Sequence, residues 1–105
     1  MLNQVHGVIA SELVPVMEGS IPALRFTLAC RRDYTVKTSI ADVDYIECVA
    51  YCDTAVYLNL RFAKGDHITV SGRLRTDRVT DAEGDPHTTA EIVVDRGEGY
   101  AKGVG

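Results

Sequence analysis

The amino-acid sequence predicts an all-β domain in which one short helix separates the third and fourth of five strands. Apolar and polar residues alternate along five segments, which is the pattern of half-buried strands. One further segment has helical spacing instead. The chain has 105 residues, of which 46% are hydrophobic, and its net charge is −4. These values indicate one domain with a single core and exclude a disordered chain.

The first half of the chain supplies three of the predicted strands. The first covers about residues 3–13 and ends before Pro15, and residues 14–22 predict a turn because they contain two prolines and a glycine. The second strand covers about 23–32, and the third covers about 43–52 after a polar loop. The residues of these two strands that alternation places inward are Leu24, Phe26, Leu28, Cys30, Ile46, Cys48 and Ala50.

Residues 53–64 break the alternation and predict a helix of about ten residues. The apolar residues that follow helical spacing are Ala55, Leu58 and Phe62. Asp53 suits the N-cap, and Gly65 suits the position just after the helix.

The last two predicted strands form a hairpin. The fourth covers about 66–79 and the fifth about 87–95, joined by a loop at 81–86. Their predicted inward residues are Ile68, Val70, Gly72, Leu74, Ile92 and Val94. The order β-β-β-α-β-β is the layout of the OB-fold, a five-stranded Greek-key barrel that binds oligonucleotides or oligosaccharides. We expect this domain to span residues 1–96, with 97–105 as a flexible glycine-rich tail.

Charge is distributed unevenly along the chain. Residues 1–80 contain nine acidic and nine basic residues, whereas residues 81–105 contain six acidic and two basic ones. An acidic protein is not expected to coat duplex DNA by bulk charge. Basic residues nevertheless cluster within 25–37 and within 71–80, which permits a narrow basic track on one face.

The sequence predicts no catalytic residue, no metal site and no cofactor. An odd number of cysteines does not suit a disulfide scaffold, and Cys48 and Cys52 lack the spacing of zinc ligands, so we interpret them and Cys30 as small buried apolar side chains. The acidic residues within 42–47 lack the glycine turn of a calcium loop. No GxSxG, HExxH, GxxxxGK[ST] or GxGxxG motif occurs, so an enzyme is not expected.

The sequence also predicts the cellular location of the protein. No run approaches 18 apolar residues, so no transmembrane helix is expected. The N-terminal segment MLNQVHGVIAS has neither a basic start nor a long apolar stretch, so we expect a cytoplasmic protein without a signal peptide.

Aromatic and basic side chains share the second face of the predicted sheet. Tyr45 and Tyr51 alternate away from the core in the third strand, Arg73 and Arg75 do so in the fourth, and Tyr34 follows the second. Every base has a π-face, so rings stack on any sequence, and guanidinium groups bind phosphate. If these strands are neighbours, the surface suits single-stranded nucleic acid. The alternative is that exposed tyrosines serve only as good strand formers.

The sequence resembles the bacterial single-stranded-DNA-binding protein family over about residues 3–95. The resemblance lies in the order and spacing of the segments LNQVHGVIAS, ALRFTLACRRDY, VDYIECVAY, AKGDHITVSGRLRTDRVTDAEGD and TTAEIVVD. It implies an OB-fold that binds single-stranded DNA without sequence preference and protects it in replication, recombination or repair. It also implies a homotetramer, or a homodimer as in the primosomal relatives.

The resemblance implies four base-stacking positions. Tyr34, Tyr45 and Tyr51 occupy three of them, whereas the fourth is Val79, and the chain contains no tryptophan. We therefore expect weaker stacking and a greater dependence on cations. The cationic contacts predicted from position and clustering are Arg31, Arg32, Lys37, Arg73, Arg75 and Arg78.

Family members usually end in an acidic tip that recruits replication and repair proteins. The last segment of this chain, GEGYAKGVG, has no such tip, so we expect a trimmed chain or a variant that does not recruit partners in that way.

Two alternatives to this function stay open from the sequence. A replication-restart module like primosomal replication protein N, acting mainly through protein contacts, is the first alternative. An OB-fold that binds oligosaccharide is the second, but it does not explain the arginine clusters.

Overall fold

The computed structural model describes residues 3–31 and 43–99, which form one closed sheet and one helix. The elements, in chain order, are β1 (Asn3–Ile9), β2 (Val14–Glu18), β3 (Ile21–Arg31), β4 (Val43–Tyr51), α1 (Cys52–Arg61), β5 (His67–Thr80) and β6 (Pro86–Glu98). The sheet order is β1-β5-β6-β4-β3-β2, and β1 also pairs with β3, which closes the barrel. The predicted all-β OB-fold class with one short helix is confirmed.

The sheet order places β6 between β4 and β5. β3 pairs antiparallel with β4, β4 pairs parallel with β6, and β6 pairs antiparallel with β5. The predicted second and third strands are therefore neighbours, whereas the predicted third and fourth are separated by the fifth. This arrangement adds one side of β6 to the surface on which Tyr45, Tyr51, Arg73 and Arg75 were predicted to meet.

The core is built from the inward sides of the strands and from one side of α1. Its buried residues are Ile9, Leu24, Phe26, Leu28, Cys30, Cys48, Ala50, Ala55, Leu58, Phe62, Ile68, Val70, Ile92 and Val94. The inward residues that alternation predicts are thus confirmed, with Ile46 half-buried at the margin. Leu74 is the exception, because its side chain is 59% exposed.

The exposure of Leu74 follows from the length of the β5–β6 hairpin. The two strands stay paired as far as Thr80 and Pro86, and every residue from 76 to 90 is exposed. This part of the hairpin is a two-stranded ribbon that projects beyond the barrel, so alternation no longer places any side chain in a core. At its tip, the Asp81 Oδ1 atom accepts hydrogen bonds from the backbone N–H groups of Glu83 and Asp85, both at 2.9 Å.

The segment predicted as a turn at 14–22 contains a strand instead. β2 occupies Val14–Glu18 and pairs antiparallel with the start of β3, and the turn itself is confined to Gly19 and Ser20. Pro15 is compatible with a strand here because β2 lies at the end of the sheet order, where one side of the backbone has no ladder partner among the described strands. Gly19 has a φ of 65°, which suits glycine in a tight turn.

The helix starts one residue earlier and ends three residues earlier than the predicted range 53–64. The N-cap residue is Tyr51 and not Asp53 as predicted, and its side chain makes no capping hydrogen bond. Asp53 lies in the first turn, where its negative charge interacts favourably with the helix dipole. The N–H of Gly65 donates to the carbonyl of Ile9 at 2.8 Å, which fixes the loop after the helix to β1. No helix in the described ranges is long and apolar enough to cross a membrane.

The prediction of buried cysteines is correct for two of the three. Cys30 and Cys48 are buried, and burial raises the pKa of the Cys48 thiol to about 12. Cys52 is exposed. It is the first residue of α1, where the chain leaves the sheet with a φ of 56°, so its side chain is outside the alternation that buries Cys48.

The end of β6 continues through the first residues of the predicted tail at 97–105. Gly97 is buried, and a Cβ atom there would lie 2.6 Å from the Cδ2 atom of Leu58. Glycine at this position lets α1 pack closely on β6. Residues 100–105 lie outside the described ranges.

Candidate nucleic-acid interface

One outer surface of the barrel collects side chains from β3, β4, β6 and β5, and we call it the sheet face. The cross-strand register aligns Arg25 with Val49, Val49 with Val93, and Val93 with Arg73. Because side chains alternate along each strand, the same face carries the following residues: Arg25, Thr27, Tyr45, Glu47, Val49, Tyr51, Arg73, Arg75, Glu91 and Val93. Glu18 reaches this group from β2.

Tyr45 is an open aromatic surface on the sheet face. Its side chain is 69% exposed, and it lies on β4 opposite Ala29 of β3, a small residue that does not cover it. Its hydroxyl makes no hydrogen bond within the described ranges. The neighbouring polar side chains on this face bind each other, since the Thr27 hydroxyl donates to Glu47 Oε2 at 2.9 Å. The exposed ring of Tyr45 can therefore contact a ligand.

Tyr51 is half-buried, and its hydroxyl is held from two sides. The hydroxyl donates to Glu18 Oε1 at 2.8 Å and accepts from Arg75 Nη2 at 2.8 Å. The guanidinium carbon of Arg75 lies 5.7 Å from the centroid of the Tyr51 ring. The ring thus occupies a defined position at the centre of the face.

Two arginines and two glutamates complete the contacts around Tyr51. Arg25 Nε donates to Glu18 Oε2 at 2.9 Å, and Arg25 Nη1 donates to Glu91 Oε1 at 2.8 Å. Arg75 donates to Glu91 Oε2 through Nε at 2.9 Å and also through Nη2. These five residues form a closed ring of contacts with no formal net charge, which we call the arginine–carboxylate network.

The arginine–carboxylate network explains an unexpected burial on the sheet face. Val49 points outward by alternation, yet its exposed fraction is 0%. Arg25 lies on β3 and its guanidinium reaches Glu91 on β6, so its side chain crosses β4 beside Val49. The network therefore covers the centre of the face and leaves Tyr45 open at one side of it.

The network shifts the titration of its members. The hydrogen bond from Tyr51, and then the hydrogen bond and charge of Arg25, hold the pKa of Glu18 below its ordinary value, against an opposing effect of burial. Burial acts to raise the pKa of Glu91, but the hydrogen bonds and charges of Arg75 and Arg25 outweigh it, so this pKa is also lowered. The pKa of each arginine is raised, chiefly by its hydrogen bond to Glu91.

These shifts predict a pH-dependent contribution to stability. Both folded pKa values lie below the ordinary value of 4.5, so the ionised carboxylates stabilise the fold near neutral pH. This contribution declines as the pH falls below about 5 and through the folded pKa values. The wild type should be more stable than Glu91→Gln at pH 7, and the difference should shrink towards zero at acid pH, as measured by urea unfolding.

A matched control is Glu98→Gln, because Glu98 is exposed and its ion pair with Arg96, at 3.5 Å, lies in solvent. Its stability difference from the wild type should be small at every pH. A Glu91→Gln difference that stays constant from pH 7 into the acid range would contradict the assignment.

The structure brings together four of the residues predicted for DNA binding and places others apart. Tyr45, Tyr51, Arg73 and Arg75 share the sheet face. Arg73 is exposed and makes no ion pair within the part of the chain that the structure describes.

The remaining predicted residues lie on the ribbon or outside the described ranges. Val79 alternates with Arg73 and Arg75 but lies farther along the ribbon, opposite His87, and Arg78 alternates to the other side of the ribbon. The backbone of Arg31 ends β3 opposite Val43. The side chain of Arg31 and the residues Arg32, Tyr34 and Lys37 lie outside what the structure describes.

Three residues of the site were not predicted from the sequence, namely Glu18, Arg25 and Glu91. Arg25 could have been predicted, since alternation in the second predicted strand already places it on the face that points away from the core. Glu18 lay in a predicted turn, and Glu91 depends on the position of β6, so neither had a local signal.

Comparisons with known proteins agree on one family. The model of the Single-strand binding protein family matches residues 8–98. A single-stranded DNA-binding protein of Clostridium perfringens (strain 13 / Type A) is 32% identical over 85 residues, which cover 75% of this chain and 54% of that protein. This chain thus spans about half the length of that relative.

Solved structures share the fold at lower identity. A small single-stranded DNA-binding protein from Streptomyces coelicolor has a TM-score of 0.76 at 24% identity, over 93% of this chain and 92% of that one. A mitochondrial single-stranded DNA binding protein from S. cerevisiae has a TM-score of 0.76 at 14% identity, with the same coverage of both chains. An SSB of Plasmodium falciparum, in complex with ssDNA, has a TM-score of 0.75 at 20% identity, over 92% and 89%.

The resemblance that the sequence predicts is therefore confirmed by an independent family model, by a curated relative and by the fold. Because the family model spans most of the chain, and the relative exceeds 30% identity over three quarters of it, this chain belongs to the Single-strand binding protein family.

Proposed function

We propose that this protein binds single-stranded DNA without base preference, by stacking bases on Tyr45 and Tyr51 and by contacting phosphates with arginines outside the arginine–carboxylate network. The observation that carries the proposal is the presence of two tyrosine rings on one outer face of an OB-fold, together with an exposed arginine, Arg73, that has no ion-pair partner among the described residues. The family supports it, because the Clostridium perfringens relative and the structural neighbours are named as single-stranded DNA-binding proteins.

Stacking supplies the part of the affinity that tolerates any sequence. A base on an aromatic side chain is worth roughly 1–3 kcal/mol, whichever base it is. Tyr45 offers an open ring, and Tyr51 offers a ring already fixed in place. In this proposal, two successive or nearby bases lie on these rings, and Tyr34 provides a third ring from the segment that precedes β4 in the chain.

Phosphate contacts supply the part of the affinity that depends on salt. Arg73 is exposed on the same face as the two rings. Arg31, Arg32 and Lys37 belong to the same proposal as further phosphate contacts, on the strength of their clustering in the sequence. So does Arg78 on the ribbon, whereas Val79 is apolar and takes the fourth stacking position there. Because the network has no net charge, the proposal assigns phosphate binding to these residues outside it.

The broader biology of the protein belongs to the same proposal. We propose that it protects single strands in replication, recombination or repair in the cytoplasm, that it acts without catalysis, and that it assembles as a homotetramer or homodimer. Light scattering of the free protein measures the last of these directly.

The experiment that tests the proposed function is a titration with oligo-dT, followed by tyrosine emission at several salt concentrations. The expected result is quenching of the emission and a binding constant that falls with salt, by about 0.7 in log K per phosphate contact for each unit of log salt. Oligonucleotides of other sequences should bind comparably, and a duplex of equal length should bind far more weakly. Equal affinity for the duplex, or binding of an oligosaccharide with no salt dependence, would overturn the proposal.

A further inference from the structure

We infer that Arg75 is a positioning residue that holds the Tyr51 ring for stacking, and that it does not bind phosphate. Glu91 is the group that keeps Arg75 in this role. The inference rests on the proposed function and deepens it, because it separates the arginines of the sheet face into two kinds. Arg73 is available to the DNA backbone, whereas Arg75 acts through Tyr51.

The hydrogen bonds of Arg75 leave no free edge for a phosphate. Its Nε donates to Glu91, and its Nη2 donates both to Glu91 and to the hydroxyl of Tyr51. A guanidinium binds phosphate best with two parallel N–H groups. A two-point contact with Arg75 would require the loss of a bond to Glu91 or to Tyr51, because only Nη1 has no partner among these groups.

The charges around Arg75 also oppose phosphate binding. Glu91 is 17% exposed and lies between Arg25 and Arg75, and it binds both. Glu18 carries a second negative charge on the far side of Tyr51 and is bound by Arg25. A phosphate placed next to Arg75 would therefore meet an arginine whose charge is already compensated and a carboxylate at short range.

The same contacts give Tyr51 what a stacking platform needs. Its hydroxyl is satisfied both as a donor and as an acceptor, so the side chain cannot swing away through a change of χ1 without breaking two hydrogen bonds. Ordering a side chain on binding otherwise lowers the affinity by roughly two- to twelvefold. Tyr45 is the natural comparison, because it is an exposed ring on the same strand with no hydroxyl partner within the described ranges.

Salt dependence separates a positioning role from a phosphate contact. We expect Arg75→Gln to weaken oligo-dT binding by roughly two- to twelvefold, without changing the slope of log K against log salt. The matched control is Arg73→Gln, on the same strand and the same face but outside the network. It should reduce the magnitude of the slope by about 0.7, as the loss of one phosphate contact does.

Double substitutions show whether Arg75 acts through Tyr51. In a Tyr51→Ala background, Arg75→Gln should cause little further loss, whereas in a Tyr45→Ala background it should cause its full loss. Tyr51→Phe keeps the ring and removes the hydroxyl, so it should reproduce most of the Arg75→Gln loss at an unchanged slope. This milder variant also serves if Arg75→Gln lowers the stability of the fold.

Two results would overturn the inference while the proposed function stands. One is a reduction of the salt slope by Arg75→Gln that equals the reduction by Arg73→Gln. The other is an equal effect of Arg75→Gln in the Tyr51→Ala and Tyr45→Ala backgrounds. If the wild type shows no salt-dependent binding of oligo-dT, the proposed function fails, and the inference fails with it.

Discussion

Replacing Tyr45 and Tyr51 together by alanine is expected to weaken oligo-dT binding by roughly 2–4 kcal/mol, which is the loss of two base-stacking contacts. Tyr45 contributes an open ring and Tyr51 a fixed one, so both substitutions remove aromatic surface that a base would cover. Fluorescence anisotropy of a labelled oligo-dT measures the change. The salt slope should stay near that of the wild type, because neither tyrosine carries charge.

The matched control for this variant is Tyr57→Ala. Tyr57 is also an exposed tyrosine beside an arginine, since the Arg61 guanidinium lies 5.0 Å from the centroid of its ring, but it lies on α1 and not on the sheet face. Its substitution should leave the affinity unchanged. A loss on Tyr57→Ala that matches the loss in the double variant would place the DNA elsewhere on the protein.

The largest effect on stability is expected from Gly72→Ala. A Cβ atom at Gly72 would lie 2.1 Å from the carbonyl oxygen of Val93 and 3.0 Å from the Cα of Val94. These are backbone atoms of the paired strand β6, so no side chain can move aside. β5 and β6 would have to separate next to the register shift between Ser71 and Gly72.

Overpacking of this kind should lower the free energy of unfolding by about 3 kcal/mol or more. The measurement is urea unfolding followed by circular dichroism. The control is Gly19→Ala, where nothing lies within 4 Å of the added Cβ and only the positive φ of 65° opposes the change. That variant should lose about 1 kcal/mol. If Gly72→Ala lowers the free energy of unfolding by no more than Gly19→Ala does, β5 and β6 do not approach each other as closely at Gly72 as described.

The sequence predicted the parts of this protein that depend on local alternation. Leu24, Phe26 and Leu28 face inward and Tyr45 faces outward, because the side chains of a strand point to opposite sides in turn. The same rule failed for Leu74, because alternation identifies which side of a strand a residue is on but not where the barrel ends along a long hairpin.

The centre of the site could not be predicted, because it depends on contacts between distant parts of the chain. Arg25 and Glu91 are 66 residues apart in sequence, and they meet only because β6 inserts beside β4. Charge clustering predicts a phosphate contact for Arg75, but local sequence does not reveal that Glu91 on a neighbouring strand binds its guanidinium. Edge pairing likewise gave β2 its strand structure in a segment rich in turn residues.

Photo-cross-linking tests most directly whether single-stranded DNA lies on the sheet face. An oligo-dT that carries 5-iodouracil would be irradiated with the wild-type protein, and the modified residues would be identified by mass spectrometry. We expect adducts at Tyr45 and Tyr51, and we expect their yield to fall with rising salt in parallel with the binding. Adducts at Tyr57 on α1, with none at Tyr45 or Tyr51, would contradict this expectation.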